Sequence, residues 1–207
     1  MQRKIVDNKG VNVEKLVDTS KSIHDKIVKN MIKRLDSSQF KRIIDSGSGK
    51  TSASILLKYF PNVQVDAIVY PGDNRKKNPL ENAIGSDRLD VVEADICKSC
   101  FRKKYDLCLA HLTLGEAHNF GNHFSDLFHQ IMDIKSKYFL IIDIFEDPAV
   151  HFRYMEQYFK EKGFKIVKKK KFKNPNPEHY PKVKCDKYKL EFDSKHYLAY
   201  LVARSEN

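Results

Sequence analysis

The sequence predicts an α/β protein with a doubly wound, mostly parallel sheet of seven strands, an antiparallel last strand and N-terminal helices. Two observations lead to this fold class. Between residues 41 and 162, short apolar runs alternate with segments of helical spacing, which is the pattern of parallel strands joined by crossover helices. The last two predicted strands have no helical segment between them, so we expect them to form an antiparallel pair.

The composition is typical of a folded chain. Its 207 residues are 41% hydrophobic and 31% charged, which is enough for a core without disulfides or bound metal. No run approaches the roughly 18 apolar residues that span a bilayer, and the first residues lack the features of a secretory signal. We therefore expect a cytoplasmic protein with no membrane segment. One domain over residues 1–207 is predicted, with a helical extension at 1–40 and the core at 41–207.

Seven segments have the apolar pattern of strands. The run 138–145 is the most continuous, as expected for a central parallel strand that is covered on both faces. The predicted strands are residues 41–45, 63–70, 89–94, 105–110, 138–145, 164–172 and 196–203.

Helical spacing connects most of these strands. Residues 1–10 are polar and expected to fray, and Gly163 is placed to end the last helix. The predicted helical segments are residues 11–35 (one or two helices), 50–60, 78–84, 124–135 and 149–162.

The stretch from Lys41 to Phe60 reads as strand, glycine turn and helix. Such a unit places backbone N–H groups and the positive end of a helix dipole beside a turn that can approach a ligand closely. In a doubly wound sheet, ligands bind beyond the carboxyl ends of the strands where the strand order reverses. Four residues that follow or end predicted strands should converge there: Gly47, Tyr70, Asp95 and His111.

Two nucleotide-binding patterns match this unit incompletely. Residues 49–51 supply the last three letters of a P-loop, but Ile44 stands where its first glycine is required. A dinucleotide turn would use Gly47 and Gly49, but Ser52 replaces its third glycine.

An NADP enzyme has two further points in its favour. The basic residues 75–77 could meet the cofactor phosphate, and Tyr158 and Lys162 have the spacing of the short-chain dehydrogenase pair. That spacing is common by chance on helices, and the two terminal strands do not suit that family.

A third pattern extends over about residues 40–203. Ile43 to Gly49 covers the end of the first strand and its turn, Val91 to Asp95 covers the end of the third strand, and Tyr105 to Ala110 is the fourth strand. A further strand, a helix ending in Gly-Phe and a terminal strand pair come after them. This ordered series resembles the class I S-adenosylmethionine-dependent methyltransferases. The resemblance implies a Rossmann-like fold, S-adenosylmethionine as cofactor and S-adenosylhomocysteine as product.

The resemblance also implies roles for individual residues. The turn formed by Asp45, Ser46, Gly47 and Gly49 would approach the methionine part of the cofactor, and Asp45 would help to hold its ammonium group. Asp95 would hydrogen-bond the adenine amino group.

Three further positions take roles from the same resemblance. Ile96 would stack near the adenine, and Ala110 and His111 would flank the methionine part and face the acceptor. The chain departs from the family at Val69, where an acid usually holds the ribose; Tyr70 packing on the adenine, or Asp73 reaching back, would substitute for it.

The loop after the fourth predicted strand supplies the candidate catalytic residues His111, Glu116 and His118, which could bind and deprotonate an acceptor. Alternatively, His111 packs against the cofactor and Glu116 is solvated. We predict no metal site, because these side chains and His123 match no regular ligand spacing.

The formal net charge of +11 suggests an anionic partner. Residues 160–173, with Tyr180 and Tyr188 beyond them, mix cations and aromatic rings in a way that could bind RNA, or the lysines could protect an edge strand from aggregation. The cations of the N-terminal helix are interpreted as a solvated face. RNA is therefore the favoured acceptor, a small metabolite is second, and a non-catalytic basic binding module is the third possibility. The oligomeric state stays open.

Overall fold

The computed structural model describes residues 4–5, 22–48, 51–71, 87–115, 123–144, 148–175, 177 and 195–205. These residues form one eight-stranded sheet that is flanked by helices. The strands are β1 Lys4–Ile5, β2 Arg42–Ser46, β3 Gln64–Val69, β4 Leu89–Glu93, β5 Tyr105–His111, β6 Ser136–Asp143, β7 Phe164–Lys173 and β8 His196–Arg204. The helices are α1 Ile23–Ile32, α2 Ser52–Tyr59, α3 Phe124–Asp133 and α4 Pro148–Glu161, with a 3₁₀ turn at Ile96–Lys98.

The strand order across the sheet is β1-β4-β3-β2-β5-β6-β8-β7. Strands β2 to β6 are parallel, and β8 runs antiparallel between β6 and β7. The predicted Rossmann-like sheet and its antiparallel last strand are therefore confirmed, and the seven predicted strands are present as β2 to β8. The order reverses between β2 and β5, because the chain builds outward from β2 to β4 and then returns to the other side of β2.

Strand β1 was not expected from the sequence. Residues 1–10 were predicted to fray, and that prediction is wrong for Lys4 and Ile5, which pair antiparallel with Glu93 and Val92 of β4. A two-residue edge strand is held by main-chain hydrogen bonds, and Lys-Ile is too short to show the alternation by which a strand is recognised in a sequence. The predicted helix at 78–84, most of the first half of segment 11–35, and most of the connection before β8 lie outside the described residues.

The core lies on both faces of the sheet. Tyr197, Ala199 and Leu201 of β8 face α1 and α2, whereas the alternate residues Leu198 and Tyr200 face α3 and α4. This division follows from the two-residue period of a strand. None of the helices in the described ranges has the length and apolar character needed to cross a bilayer.

A charged network closes the amino edge of the parallel strands. Asp66 of β3 is 2% exposed and accepts hydrogen bonds from Arg42 (3.0 Å), Lys103 (3.0 Å) and Tyr105 (2.8 Å). Burial alone would raise the pKa of Asp66, but these hydrogen bonds and the charge of Arg42 outweigh it and hold the pKa below its ordinary value. The network joins β2, β3 and the start of β5, and leaves the opposite edge for a binding site.

Candidate functional site

The turn after β2 is held between two neighbouring segments. Gly47 has φ of +84°, which favours glycine, and a Cβ placed there would lie 2.6 Å from both Cγ2 and Oγ1 of Thr113. The next residue, Ser48, donates its N–H to the Ile68 carbonyl at the end of β3 (2.7 Å). The turn therefore contacts both the end of β3 and the loop that follows β5.

Asp45 joins the end of β2 to the start of α2. Its carboxyl is fully buried, and Ser52 Oγ donates to Asp45 Oδ2 at 2.6 Å. Ser46 points its hydroxyl at the Leu109 carbonyl of β5 (2.7 Å). The contacts of Asp45 and Ser46 with a cofactor stay predictions, and their hydrogen bonds to Leu109 and Ser52 shape the turn.

The loop after β5 crosses directly over this turn. Thr113 Oγ1 donates to the Ser46 carbonyl at 2.7 Å. Leu112 has φ of 54°, an unusual conformation for a bulky residue, and its N–H donates to the Ile142 carbonyl of β6 (2.8 Å). Backbone strain of this kind is concentrated at functional sites, where the surrounding structure enforces it.

Asp143, the last residue of β6, fixes the same loop from the other side. Its Oδ2 accepts the N–H groups of Leu114 (2.8 Å) and Gly115 (3.0 Å), and its Oδ1 accepts that of Ile144 (2.8 Å). A Cβ at Gly115 would lie 2.6 Å from Asp143 Oδ1 and 2.7 Å from the backbone carbonyl oxygen of Ile144, so this position also requires glycine. One buried carboxylate thus connects the ends of β5 and β6.

The candidate catalytic residue His111 lies at the end of β5 and is 7% exposed. Its Nε2 is 2.8 Å from Nδ1 of His24 in α1, so one ring donates and the other accepts. Burial, with the nearby His24, lowers the pKa of His111 to about 3, and burial lowers that of His24 to about 4. Both rings are neutral near pH 7. The predicted catalytic role of His111 is not tested by this contact, which connects α1 to the site.

This histidine pair makes stability depend on pH. Both pKa values are below the ordinary 6.5, so the unfolded chain takes up protons first as pH falls. The contribution of the two neutral histidines to the free energy of unfolding is complete above about pH 6.5 and is lost as pH falls toward 4. Between pH 7.5 and 5.0 we expect His24 to contribute about 2 kcal/mol to the decrease in the free energy of unfolding. Urea unfolding at both pH values measures it, and an equal pH dependence in wild type and His24→Gln would contradict the assignment.

Asp95 follows β4 and begins the 3₁₀ turn. Its Oδ1 accepts the N–H of Cys97 (3.0 Å), and its Oδ2 pairs with Lys98 Nζ (3.0 Å). Ile96 is 7% exposed and packs into the core on the α3 side, while Tyr70 is half-buried directly after β3. The predicted adenine contacts of these residues stay predictions.

The parallel strand ends bring most of the predicted residues to one edge. Ser46 pairs with both Ile68 and Ala110, and Val69 pairs with Glu93. Four predicted site residues lie outside the described residues: Gly49, Asp73, Glu116 and His118. Within the described part of the chain, no three His, Cys, Asp or Glu side chains are placed to hold a metal ion.

Three residues of this edge were missed by the sequence argument: His24, Thr113 and Asp143. Asp143 had a signal, since it is a lone carboxylate near the end of the most apolar run in the chain. His24 and Thr113 had none, because their partners are 87 and 67 residues away.

A separate cleft of about 450 Å³ lies near the opposite edge of the sheet. Its lining comes from the segment before β5 and the end of α3, and includes Cys100, Arg102 and Asp133. It is therefore remote from the Gly47 turn and forms no part of the candidate site.

No protein-family model and no curated protein sequence matches the chain. Solved structures do resemble it. The rRNA methylase from Escherichia coli matches with a TM-score of 0.59 and 11% identity, covering 88% of this chain and 63% of its own. The N-methyltransferase NodS from Bradyrhizobium japonicum, in complex with S-adenosylhomocysteine, matches with a TM-score of 0.61 and 8% identity, covering 91% and 89%.

The chain has the Rossmann-like fold of these solved methyltransferase structures. It spans about 63% of the length of the E. coli methylase. The cyclase SpnF matches it as well, with a TM-score of 0.58, 13% identity and coverage of 88% of this chain and 81% of its own. The same fold thus occurs in a protein named for a different reaction, and the fold alone does not specify an activity.

Proposed function

We propose that the protein is an S-adenosylmethionine-dependent methyltransferase whose cofactor binds at the carboxyl edge, beside Gly47. One observation carries the proposal: the glycine turn lies at the reversal of strand order and is joined to the loop after β5 through Thr113 and Ser46. That is where a doubly wound sheet binds its ligand. The buried carboxyls of Asp45 and Asp95 at the same edge suit a ligand with ammonium and adenine amino donors.

The cofactor would supply an activated methyl group on a sulfonium, and the chain would provide binding and orientation. Asp45 and the turn through Gly49 would hold the methionine part, and Asp95 and Ile96 the adenine. Ala110 and His111 would flank the reacting end.

The acceptor would be held by the loop after β5. Glu116 or His118 would remove a proton where the acceptor carries one, because a neutral histidine or a carboxylate can accept it at physiological pH. His111 would orient the acceptor rather than act as the base, since its low pKa makes it a weak base.

RNA is our first choice of acceptor and a small metabolite the second. The net charge of +11 and the exposed lysines of β7 support RNA. Added salt separates the two: an RNA enzyme loses affinity steeply as counterions compete, whereas turnover of a neutral metabolite barely responds.

The proposal is tested by calorimetric titration of the protein with S-adenosylhomocysteine, NADPH and ATP. We expect saturable binding of S-adenosylhomocysteine alone, because the P-loop and dinucleotide patterns are each incomplete. Transfer of a radiolabelled methyl group to total RNA or to a metabolite extract would then identify the acceptor class. Absence of S-adenosylhomocysteine binding by the folded protein would contradict the proposal.

One observation favours a second candidate, a non-catalytic module that acts through its basic surface. Strand β3 ends at Val69, where the methyltransferases usually carry the acid that holds the ribose. Binding of an anionic partner without binding of S-adenosylhomocysteine would support this second function.

A further inference from the structure

Strand β7 is an edge strand whose two faces carry different lysines. Its residues pair with β8, and a bulge lies between Ile166 and Lys168. On the side of the sheet that faces α1 and α2, β7 carries Lys168, Lys170 and Phe172. On the opposite side, β7 carries Lys169, Lys171 and Lys173. The two faces can therefore be tested separately.

The end of α1 meets the first of these faces. Lys168 Nζ donates to the Asn30 carbonyl at 2.5 Å. Burial lowers the pKa of Lys168, and so do the charges of Lys170, Arg34 and Lys33. We name Lys33, Arg34, Lys168 and Lys170 the α1–β7 basic surface. Its two halves are about 135 residues apart in sequence and are brought together only by the fold.

The described residues place no acid beside the cations of this surface. In the parts of the chain that the structure describes, no carboxylate lies within ion-pair distance of its four cations. The opposite face differs, since Lys169 pairs there with Glu156. A cluster of like charges without counter-charges repels itself and attracts an anion.

The surface leads toward the candidate site. Lys170 Nζ lies 5.0 Å from the centre of the Phe172 ring, and Phe172 pairs with Tyr197 of β8. The centres of the Tyr197 and His24 rings are 5.2 Å apart, and His24 is hydrogen-bonded to His111 at the end of β5. From Lys168 to Phe172 the strand rises about 13 Å. A row of cations that ends near the candidate site suits the phosphates of a nucleic-acid strand.

We propose that the α1–β7 basic surface binds the phosphates of single-stranded RNA and directs the strand toward the acceptor side of the site at His111. The identification of that end as an acceptor site rests on the proposed function. The helix cations Lys33 and Arg34, which were interpreted as a solvated face, thereby become part of the RNA contact.

The experiment measures binding of a fluorescein-labelled 15-nucleotide oligouridylate by fluorescence anisotropy across a salt series. Two test variants remove the surface from either side: K168A/K170A and K33A/R34A. The matched control, K171A/K173A, removes the same charge from the opposite face of the same strand. The substitutions K33A/R34A lie just after the exposed end of α1 and are not expected to unfold the protein. This variant therefore remains informative if K168A/K170A unfolds because the hydrogen bond from Lys168 to Asn30 is lost.

We expect each test pair to weaken binding about tenfold, and to lower the slope of log affinity against log salt by about 1.4, as for two lost phosphate contacts on a single strand. The control should change affinity less than about twofold. An equal loss in test and control variants, preference for anionic phosphatidylserine vesicles over the oligonucleotide, or absence of RNA binding would each overturn the proposal.

Titration of the same variants with S-adenosylhomocysteine separates this proposal from the proposed function. If S-adenosylhomocysteine binds but the test and control variants do not differ in RNA binding, the RNA-binding role of the surface is rejected and the methyltransferase proposal stands. If the variants differ in RNA binding as expected but S-adenosylhomocysteine does not bind, the RNA-binding role is supported and the methyltransferase proposal is rejected.

Discussion

Replacement of Gly47 by arginine is expected to abolish binding of S-adenosylhomocysteine. Gly47 has φ of +84°, and any Cβ there would lie 2.6 Å from the side chain of Thr113. Either the Thr113 side chain must rotate or the turn must move away from the loop after β5, and both changes disrupt the hydrogen bond from Thr113 to the Ser46 carbonyl. Calorimetric titration measures the loss, and circular dichroism checks that the sheet is folded.

Gly163 provides a matched control for backbone strain. It has φ of +71°, but a Cβ there would meet no atom within 4 Å. Gly163→Ala therefore carries only the strain of the left-handed conformation, about 1–2 kcal/mol. We expect it to bind S-adenosylhomocysteine as the wild type does, whereas Gly47→Ala should bind much more weakly. Unchanged binding by folded Gly47→Arg would show that the cofactor site is not at this turn.

Replacement of Asp143 by alanine is expected to lower the free energy of unfolding by about 3–5 kcal/mol. The carboxylate is 1% exposed and accepts three backbone N–H groups, from Leu114, Gly115 and Ile144. Buried donors that lose their acceptor cost about 1–3 kcal/mol each. Urea unfolding measures the change. Loosening of the loop should also weaken cofactor binding.

Two variants calibrate this result. Asp143→Asn retains one acceptor oxygen, so we expect it to lower the free energy of unfolding by less than Asp143→Ala does. Asp90→Ala removes a carboxyl at the amino edge whose side chain is 43% exposed, so we expect a loss below about 1 kcal/mol. An Asp143→Ala protein as stable as Asp90→Ala would mean that other contacts hold the loop after β5.

The strands could be predicted because their signals are local. The apolar run of β6 and the alternation in β8 reflect burial on two faces, and each pattern is complete within about ten residues. The missing helix between β7 and β8 likewise predicted the antiparallel last strand, which was confirmed.

The site was predicted only as a set of strand ends. The sequence places Gly47 and His111 after two strands that meet at the reversal of strand order, so their edge followed from topology. Their partners did not follow, because Thr113 contacts Gly47 and His24 contacts His111 across 66 or more residues of chain. Periodicity carries no information about such pairings.

The sequence by itself therefore determined the α/β class, the strand series and the edge at which a ligand is expected, since each depends on burial patterns within single elements. Only the tertiary structure decided which side chains meet there. It added the two-residue strand β1, closed the loop after β5 with Asp143, and joined Lys33 and Arg34 to the lysines of β7. These contacts depend on strand register and helix packing, which are set when the whole core forms.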